Sequence, residues 1–196
     1  SSDDGNQGYT IVLGAASSSD SDYSGLNPTD VTVSNTDDET AGFTVSSIIG
    51  STNELGGTAT FTVKLNSQPT ANVTIGVSSS DTGEGTVSPS LLTFTSDNWN
   101  ANQTVTVTGV NDSLEDGNQS YTIVLAAASS SDSDYSGLNP TDVTVSNTDD
   151  ETAGFTVSSI SGSTNELGGT ATFTVKPNSQ PTANVTIGVS LSPRHI

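Results

Sequence analysis

The stretch VTVSNTDDETAGFTVSSI occupies residues 31–48 and occurs again, without a change, at residues 143–160. Each copy joins two alternating segments rich in Thr and Val through three consecutive carboxylates. These are Asp37, Asp38 and Glu39 in the first copy and Asp149, Asp150 and Glu151 in the second. Apolar side chains at every second position predict β-strands. Each acidic triplet is therefore expected to connect two strands.

The repeat extends far beyond this stretch. Residues 5–78 match residues 117–190 at a constant offset of 112, as Gly5 and Gly117 show, with four differences: Gly8/Ser120, Gly14/Ala126, Ile49/Ser161 and Leu65/Pro177. A period of this length is too long for one coil of a solenoid and fits a whole domain. The sequence therefore predicts like modules in tandem.

This period divides the chain into three parts. Residues 1–36 are expected to be the C-terminal part of a preceding repeat, with its last two strands, and residues 37–149 a complete repeat. Residues 150–196 are expected to be the N-terminal part of a following repeat, with its first three strands. Residues 191–196, LSPRHI, depart from the repeat and form an aberrant tail, which favours a foreign or truncated end over a catalytic or metal-binding role for His195. The opening SSDD has neither the basic start nor the apolar core of a signal peptide, so the sequence reads as a piece of something longer.

About seven short alternating segments are legible within one period, separated by turns rich in Gly, Asn, Ser and Pro. Their apolar residues are Phe43 and Val45; Phe61, Val63 and Leu65; Val73, Ile75 and Val77; Leu92 and Phe94; Val105 and Val107; Tyr121, Ile123 and Leu125; Val143 and Val145. Thr and Val are favoured in strands, and no segment has helical periodicity. The fold class predicted is all-β, with immunoglobulin-like antiparallel β-sandwich modules in tandem.

Composition excludes several classes of function. The chain has 22 acidic residues against 3 Lys and Arg, a formal charge of -19, so nucleic acid and anionic lipid are repelled. No apolar run approaches the roughly 20 residues of a membrane-spanning helix. The chain has no Cys, and its one His lies in the aberrant tail, which leaves a nucleophilic triad without a base. We therefore expect a protein that is not an enzyme.

The carboxylates cluster in turns at strand ends. They are Glu54 in STNELGG, Asp81 and Glu84 in SSSDTGEG, Asp112, Glu115 and Asp116 in GVNDSLEDGNQ, and Asp149 with Asp150. Loops of an antiparallel sandwich alternate between its two ends, so several clusters can converge at one end. Calcium takes about six to eight oxygen ligands with flexible geometry, and would stabilise such a cluster. A solvated acidic surface is the alternative.

Several motifs resemble the Calx-beta repeat, found in sodium-calcium exchangers and in tandem arrays of bacterial surface proteins. They are STNELGGTATFTVKL, GVNDSLEDGNQSYTIVL and VTVSNTDDE, and the resemblance spans the module. It implies calcium at the junction between modules, held by Glu54, Asp81, Asp112 with Asp116, and Asp149 with Asp150. Where exchanger domains have three consecutive Asp, this chain has Asn111-Asp112-Ser113, which implies fewer ions or weaker binding.

Three hypotheses of function follow. The first is an extracellular or cell-surface structural segment of an adhesin, matrix or stalk protein, with neighbouring repeats as partners, calcium-stiffened joints, no nucleic acid and no membrane insertion. A variant is a filament, a homopolymer in which the split end repeats of identical chains complete one another by strand complementation. The alternative is a glycan-binding or enzyme-accessory module, which needs exposed aromatic side chains. For Trp99 a plug at one end of the core is favoured, and Tyr23 and Tyr135 are expected to fix their loop.

Overall fold

The computed structural model describes residues 1–192, which form strands and loops and include no helix. The strands, numbered in chain order, are β1 Gln7–Ile11, β2 Val31–Asn35, β3 Phe43–Val45, β4 Ile49–Gly50, β5 Thr52–Asn53, β6 Thr58–Leu65, β7 Val73–Ser79, β8 Gly85–Ser88, β9 Leu91–Phe94, β10 Gln103–Gly109, β11 Gln119–Leu125, β12 Val143–Thr148, β13 Phe155–Val157, β14 Ser161–Gly162, β15 Ala171–Thr172 and β16 Val175–Pro177. Residues 193–196 lie outside the described residues. The prediction for His195 concerns one of them and stays a prediction.

Ten strands, β3 to β12, form two sheets of five. The first sheet has the order β3-β6-β10-β8, with β4 also paired to β6, and the second has the order β5-β12-β11-β7-β9. All pairs are antiparallel except β5 with β12. These orders correspond to the two sheets of an immunoglobulin-like sandwich. The predicted all-β antiparallel sandwich is confirmed.

The core lies between these two sheets, because the strands alternate apolar and polar residues. In β6 every second side chain, from Ala59 to Leu65, is buried, while Thr60, Thr62 and Lys64 between them lie on the outer face. The buried cluster draws on both sheets, with Phe61 and Val105 from the first and Ile75, Phe94 and Ile123 from the second. Successive side chains in a strand point to opposite faces, so this pattern fixes which face each sheet buries.

The first part of the module crosses from one sheet to the other. Strands β3 and β4 pair with β6 in the first sheet, and β5, two residues later, pairs in parallel with β12 in the second. Gly50 has a φ of 92°, which favours glycine, and a Cβ there would lie 2.9 Å from the carbonyl oxygen of Thr58. Strands β4, β5 and β8 were not among the predicted segments, because they carry too few alternating apolar residues to be legible.

The segments that flank the sandwich form small two-stranded sheets. Strand β1 pairs with β2, β13 with β16, and β14 with β15. Their apolar residues are much more exposed than the equivalent residues of the sandwich: Ile11 is 48% exposed, and its counterpart Ile123 is fully buried. The division at residues 36/37 and 149/150, and the tandem arrangement of modules, stay predictions.

The loop between β11 and β12 is held by two buried polar side chains. The hydroxyl of Tyr135, which is 1% exposed, donates to the carbonyl oxygen of Ser67 at 2.7 Å and accepts from the Ser67 backbone N–H at 3.0 Å. The carboxylate of Asp132 accepts the N–H groups of Thr70 and Asp134. Burial opposes the ionisation of Asp132, but these N–H donors lower its pKa below the usual value. Tyr135 therefore fixes its loop, as predicted.

Candidate metal centre

One end of the sandwich collects carboxylates from four chain segments. Glu54 follows β5, Glu84 precedes β8, residues 110–118 connect β10 to β11, and residues 149–151 follow β12. Parallel strands end at the same edge, so the pairing of Thr148 with Asn53 brings Glu54 beside the acidic triplet. The N–H of Glu54 donates to the carbonyl oxygen of Thr148 at 3.0 Å. The convergence of acidic loops at one end is thus produced by strand order.

Three carboxylates from three of these segments form the first group. Glu54, Asp112 and Glu151 each place one oxygen within 4.8 Å of the others. Glu54 is 3% exposed, and Asp112 and Glu151 are half-buried. The Oε2 atoms of Glu54 and Glu151 are buried and have no hydrogen-bond partner. Because a buried oxygen without a partner costs free energy, this group needs a proton or a cation to complete it.

The surroundings of Glu54 strongly disfavour the charged form of its carboxylate. Burial, followed by the neighbouring carboxylates of Glu151, Asp112 and Asp149, raises the pKa of Glu54 to about 8. The one ion pair among residues 1–192 joins the N-terminal amine to Glu39, in the first acidic triplet. No basic side chain of the described chain therefore neutralises Glu54.

A second group shares Asp112 with the first. Glu84, Asp112 and Asp116 also place carboxylate oxygens within 4.8 Å of one another. Burial raises the pKa of Glu84 above its usual value. The buried amide of Asn147 donates to Glu84 Oε2 at 3.3 Å and to the carbonyl oxygen of Val110 at 3.0 Å, which holds Glu84 in place.

A glycine allows the loops of this end to approach closely. A Cβ on Gly109 would lie 2.2 Å from the carbonyl oxygen of Asn53 and 2.5 Å from Asn147 Oδ1. The end of β10 can therefore pack directly against the segment that carries Glu54 only because residue 109 has no side chain.

The predicted ligands fall into two sets in the structure. Glu54, Asp112 and Asp116 belong to the two groups. Asp149 is engaged by the backbone instead, since its carboxylate accepts the N–H of Glu151 at 3.0 Å and that of Gly117 at 2.7 Å. These N–H donors, Glu151 first, lower the pKa of Asp149. The full predicted ligand set stays a prediction.

The other two predicted ligands lie outside the two groups. Asp81 is exposed and accepts the N–H of Gly83 at 2.9 Å. Asp150 is also exposed, and accepts from the side-chain amide of Asn111 at 3.5 Å.

Sequence reasoning did not select Glu84 and Glu151 as ligands, although both lie in acidic clusters that it identified. Glu151 closes the DDE triplet, and Glu84 lies three residues after Asp81. The parallel pairing of β5 with β12 is what brings Glu151 to Glu54, and no sequence pattern indicates that pairing. For Glu84 the only sequence signal was its place in a strand-end turn.

The donor set fits a hard divalent cation. All five clustered side chains offer carboxylate oxygens, no sulfur or imidazole is present, and two buried oxygens lack a partner. Calcium and magnesium prefer oxygen ligands, and calcium accepts the irregular geometry that loops supply. Glu54, Asp112 and Glu151 would hold one ion, and Glu84, Asp112 and Asp116 offer a place for another.

The three aromatic residues considered as a ligand platform differ in exposure. Tyr135 is buried, Trp99 is half-buried and packs against the core, and Tyr23 is 62% exposed. Tyr135 therefore cannot contribute to a binding surface, and the role of Trp99 as a plug stays a prediction.

Comparison with known proteins finds a similar solved structure and no related family. No family model matches the chain, and no curated protein matches it either. Among solved structures, the chain is similar to one titled "Structure of surface layer protein SbsC, domains 1-6", with a TM-score of 0.33 and 16% identity. The likeness covers 89% of this chain and spans 29% of the length of that chain. No helix that could span a membrane occurs in residues 1–192.

Proposed function

We propose that the chain is a non-enzymatic structural segment of an extracellular repeat protein, such as a stalk, an adhesin or a matrix component, in which calcium stiffens the junctions between modules. The observation that carries this proposal is the buried Glu54 carboxylate, which faces Asp112 and Glu151 and has no basic side chain of residues 1–192 paired to it. The triplet 149–151 both contributes Glu151 to this group and leads into β13. An ion bound there holds the end of one module to the start of the next.

The charge of the chain supports the same proposal. The chain has a formal charge of -19, so its modules repel one another and repel anionic partners. A divalent ion at each junction offsets this repulsion locally. Without the ion, the carboxylates at the junction repel and the linking segment is free to move, so rigidity depends on calcium.

Calcium binding can be measured directly by isothermal titration calorimetry on the full chain. Extracellular calcium modules bind with dissociation constants of about 10⁻⁴ to 10⁻³ M, and we expect binding in this range. The Glu54→Gln variant removes a charged ligand from the buried group and is expected to weaken the affinity by at least about tenfold. The matched control is Glu166→Gln, the equivalent glutamate of the following repeat, which is exposed. The absence of a calcium isotherm for the unchanged chain contradicts the proposal.

The filament variant has an observation of its own. The apolar residues of the flanking segments, such as Tyr9 and Ile11 in β1 and Phe173 after β15, are exposed, whereas their repeat counterparts Tyr121, Ile123 and Phe61 are buried in the core. The sandwich shows which strands complete these faces, because β12 pairs with β5 and β11 with β7. The equivalents of these four strands lie in residues 7–35 and 164–190, so the segment 7–35 of one copy and the segment 164–190 of another carry strands that can pair. The equivalents of β8, β9 and β10 are missing from both segments.

The filament variant predicts concentration-dependent assembly of the full chain, measured by light scattering after size exclusion and by electron microscopy. Ile11→Asp places a charge on the face that would be covered, and is expected to abolish assembly. Val12→Asp is the control, because its counterpart Val124 lies on the outer face of β11. A monodisperse monomer at high concentration, or equal effects of the two variants, rules out strand complementation.

A further inference from the structure

The junction between the sandwich and the segment after it contains a set of contacts that involves none of the clustered carboxylates. The carbonyl oxygen of Ser113 accepts the N–H of Gln180 at 2.7 Å, and the carboxylate of Glu115 accepts the N–H of Ala153. Leu114 and Gln180 form a parallel β-bridge. We call these contacts, made by Ser113 and Glu115 with Ala153 and Gln180, the clasp.

The same clasp occurs at the other junction of the chain. There the carbonyl oxygen of Ser1 accepts the N–H of Gln68 at 2.8 Å, and Asp3 Oδ2 accepts the N–H of Ala41 at 2.9 Å. Each of these four residues precedes its clasp counterpart by one period of 112. Position 3 is Asp where position 115 is Glu, so side chains of different length make the same contact with the backbone.

The two segments that donate N–H groups to the clasp, which contain Ala153 and Gln180, are hydrogen-bonded to each other. Asn178 donates its N–H to the carbonyl oxygen of Gly154 at 2.9 Å and accepts from the Thr156 hydroxyl at 2.7 Å. Asn66 makes the same two contacts with Gly42 and Thr44. The turn that carries Gln180 is therefore hydrogen-bonded to the segment that follows Ala153. The N–H groups of Ala153 and Gln180 are thus held in a fixed position relative to each other.

We infer that the clasp is a docking surface between consecutive modules, in which the loop 113–117 of one module binds the backbone of the next at residues 153 and 180 without a metal ion. Neither Ser113 nor Glu115 belongs to the carboxylate groups that fit a cation. The contacts are made to backbone N–H groups, and hydrogen bonds from such groups to a carboxylate are stronger than neutral ones. The inference goes beyond the calcium proposal, because the junction keeps a preferred orientation when the ion is absent.

Amide hydrogen exchange on the full chain in a calcium chelator tests the clasp. The amides of Ala153 and Gln180 are expected to be protected in the unchanged chain. Glu115→Ala removes the carboxylate acceptor and is expected to speed exchange at both amides by about tenfold or more, the effect of losing a hydrogen bond to a charged group. Ala41 and Gln68, at the other junction, serve as internal controls and are expected to keep their rates. Glu115→Gln retains an acceptor oxygen and is expected to keep most of the protection.

Any of three results overturns the clasp. The first is that the amides of Ala153 and Gln180 exchange in the unchanged chain as fast as those of an unstructured peptide, and the second is that Glu115→Ala leaves their exchange rates unaltered. The third is that Glu115→Ala changes the exchange rates equally at both junctions. Calcium binding by the Glu115→Ala variant separates this inference from the proposed function. Retention of binding is expected, and loss of binding contradicts the independence of the clasp. If the unchanged chain does not bind calcium, the proposed function is wrong. The clasp is then judged only by the exchange rates measured in chelator, which do not depend on calcium.

Discussion

Removal of calcium from the full chain is expected to lower the midpoint of its thermal unfolding by about 10 °C. With a dissociation constant of about 10⁻⁴ M, calcium at about 10 mM exceeds it 100-fold, and an ion that binds only the folded state then stabilises it by about 2.7 kcal/mol. For a folding unit near the size of the sandwich, each kcal/mol shifts the midpoint by about 4 °C. Differential scanning calorimetry in calcium and in chelator measures the difference.

Two glutamates in equivalent positions give this experiment its controls. Glu54→Gln is expected to remove the calcium-dependent shift, whereas Glu166→Gln is expected to keep it, because Glu166 is exposed. In chelator the Glu54→Gln variant should unfold at a higher temperature than the unchanged chain. Burial and neighbouring carboxylates raise the pKa of Glu54 to about 8. At neutral pH Glu54 must therefore take up a proton on folding, which costs stability, whereas glutamine is neutral in both states.

A calcium shift that survives in Glu54→Gln would place the ion elsewhere. An unchanged midpoint in millimolar calcium would remove the metal from the proposed function altogether. A chelated Glu54→Gln variant that is less stable than the unchanged chain would mean that the buried carboxylate has a stabilising partner of its own.

Tyr135→Phe is expected to destabilise the sandwich by about 2 kcal/mol, which corresponds to about 8 °C in the unfolding midpoint. The substitution keeps the ring that packs edge-on against Phe43 and removes only the hydroxyl. It leaves the backbone N–H of Ser67, a fully buried residue, without its acceptor, and the carbonyl oxygen of Ser67 without its donor. Chemical denaturation followed by fluorescence measures the loss.

Tyr23→Phe is the matched control, because Tyr23 has the same sequence neighbours as Tyr135 and lies 62% exposed. Its expected effect is within about 0.5 kcal/mol of zero, as for most surface substitutions. Equal effects of the two substitutions would contradict the assignment of stability to the hydrogen bonds with Ser67.

The long strands were predictable because their patterns are local. Alternation in β6, β7, β10, β11 and β12 identifies both the strand and its buried face, whereas the tandem modules that the period of 112 predicts stay a prediction. Strands β4, β5 and β8 were not predictable, because two to four residues carry too little periodicity. They exist because neighbouring strands supply their hydrogen-bond partners, which is information that no short sequence window contains.

The sequence predicts where the candidate metal centre lies better than it predicts which residues form it. Acidic turns at strand ends indicated a cluster, and Glu54, Asp112 and Asp116 lie in it. Which other carboxylates join them depends on the parallel β5–β12 pair and on backbone N–H groups that occupy Asp149. Asp149, a ligand implied by the family resemblance, stays a prediction, and in the structure its oxygens accept the N–H groups of Gly117 and Glu151.

The parallel pairing of β5 with β12 determines how a module would respond to being pulled from its two ends. The chain passes through β3 and β4, which pair with β6, before it reaches β5, and it leaves after β12. Tension that reaches β5 and β12 draws these two parallel strands past each other along their length. Their hydrogen bonds, including that from the N–H of Glu54 to Thr148, are then loaded together in shear, whereas a hairpin pulled open at one end loses its bonds one at a time. The edge of the module where the carboxylates meet would therefore contribute to its resistance to force, together with the pairs that β3 and β4 make with β6.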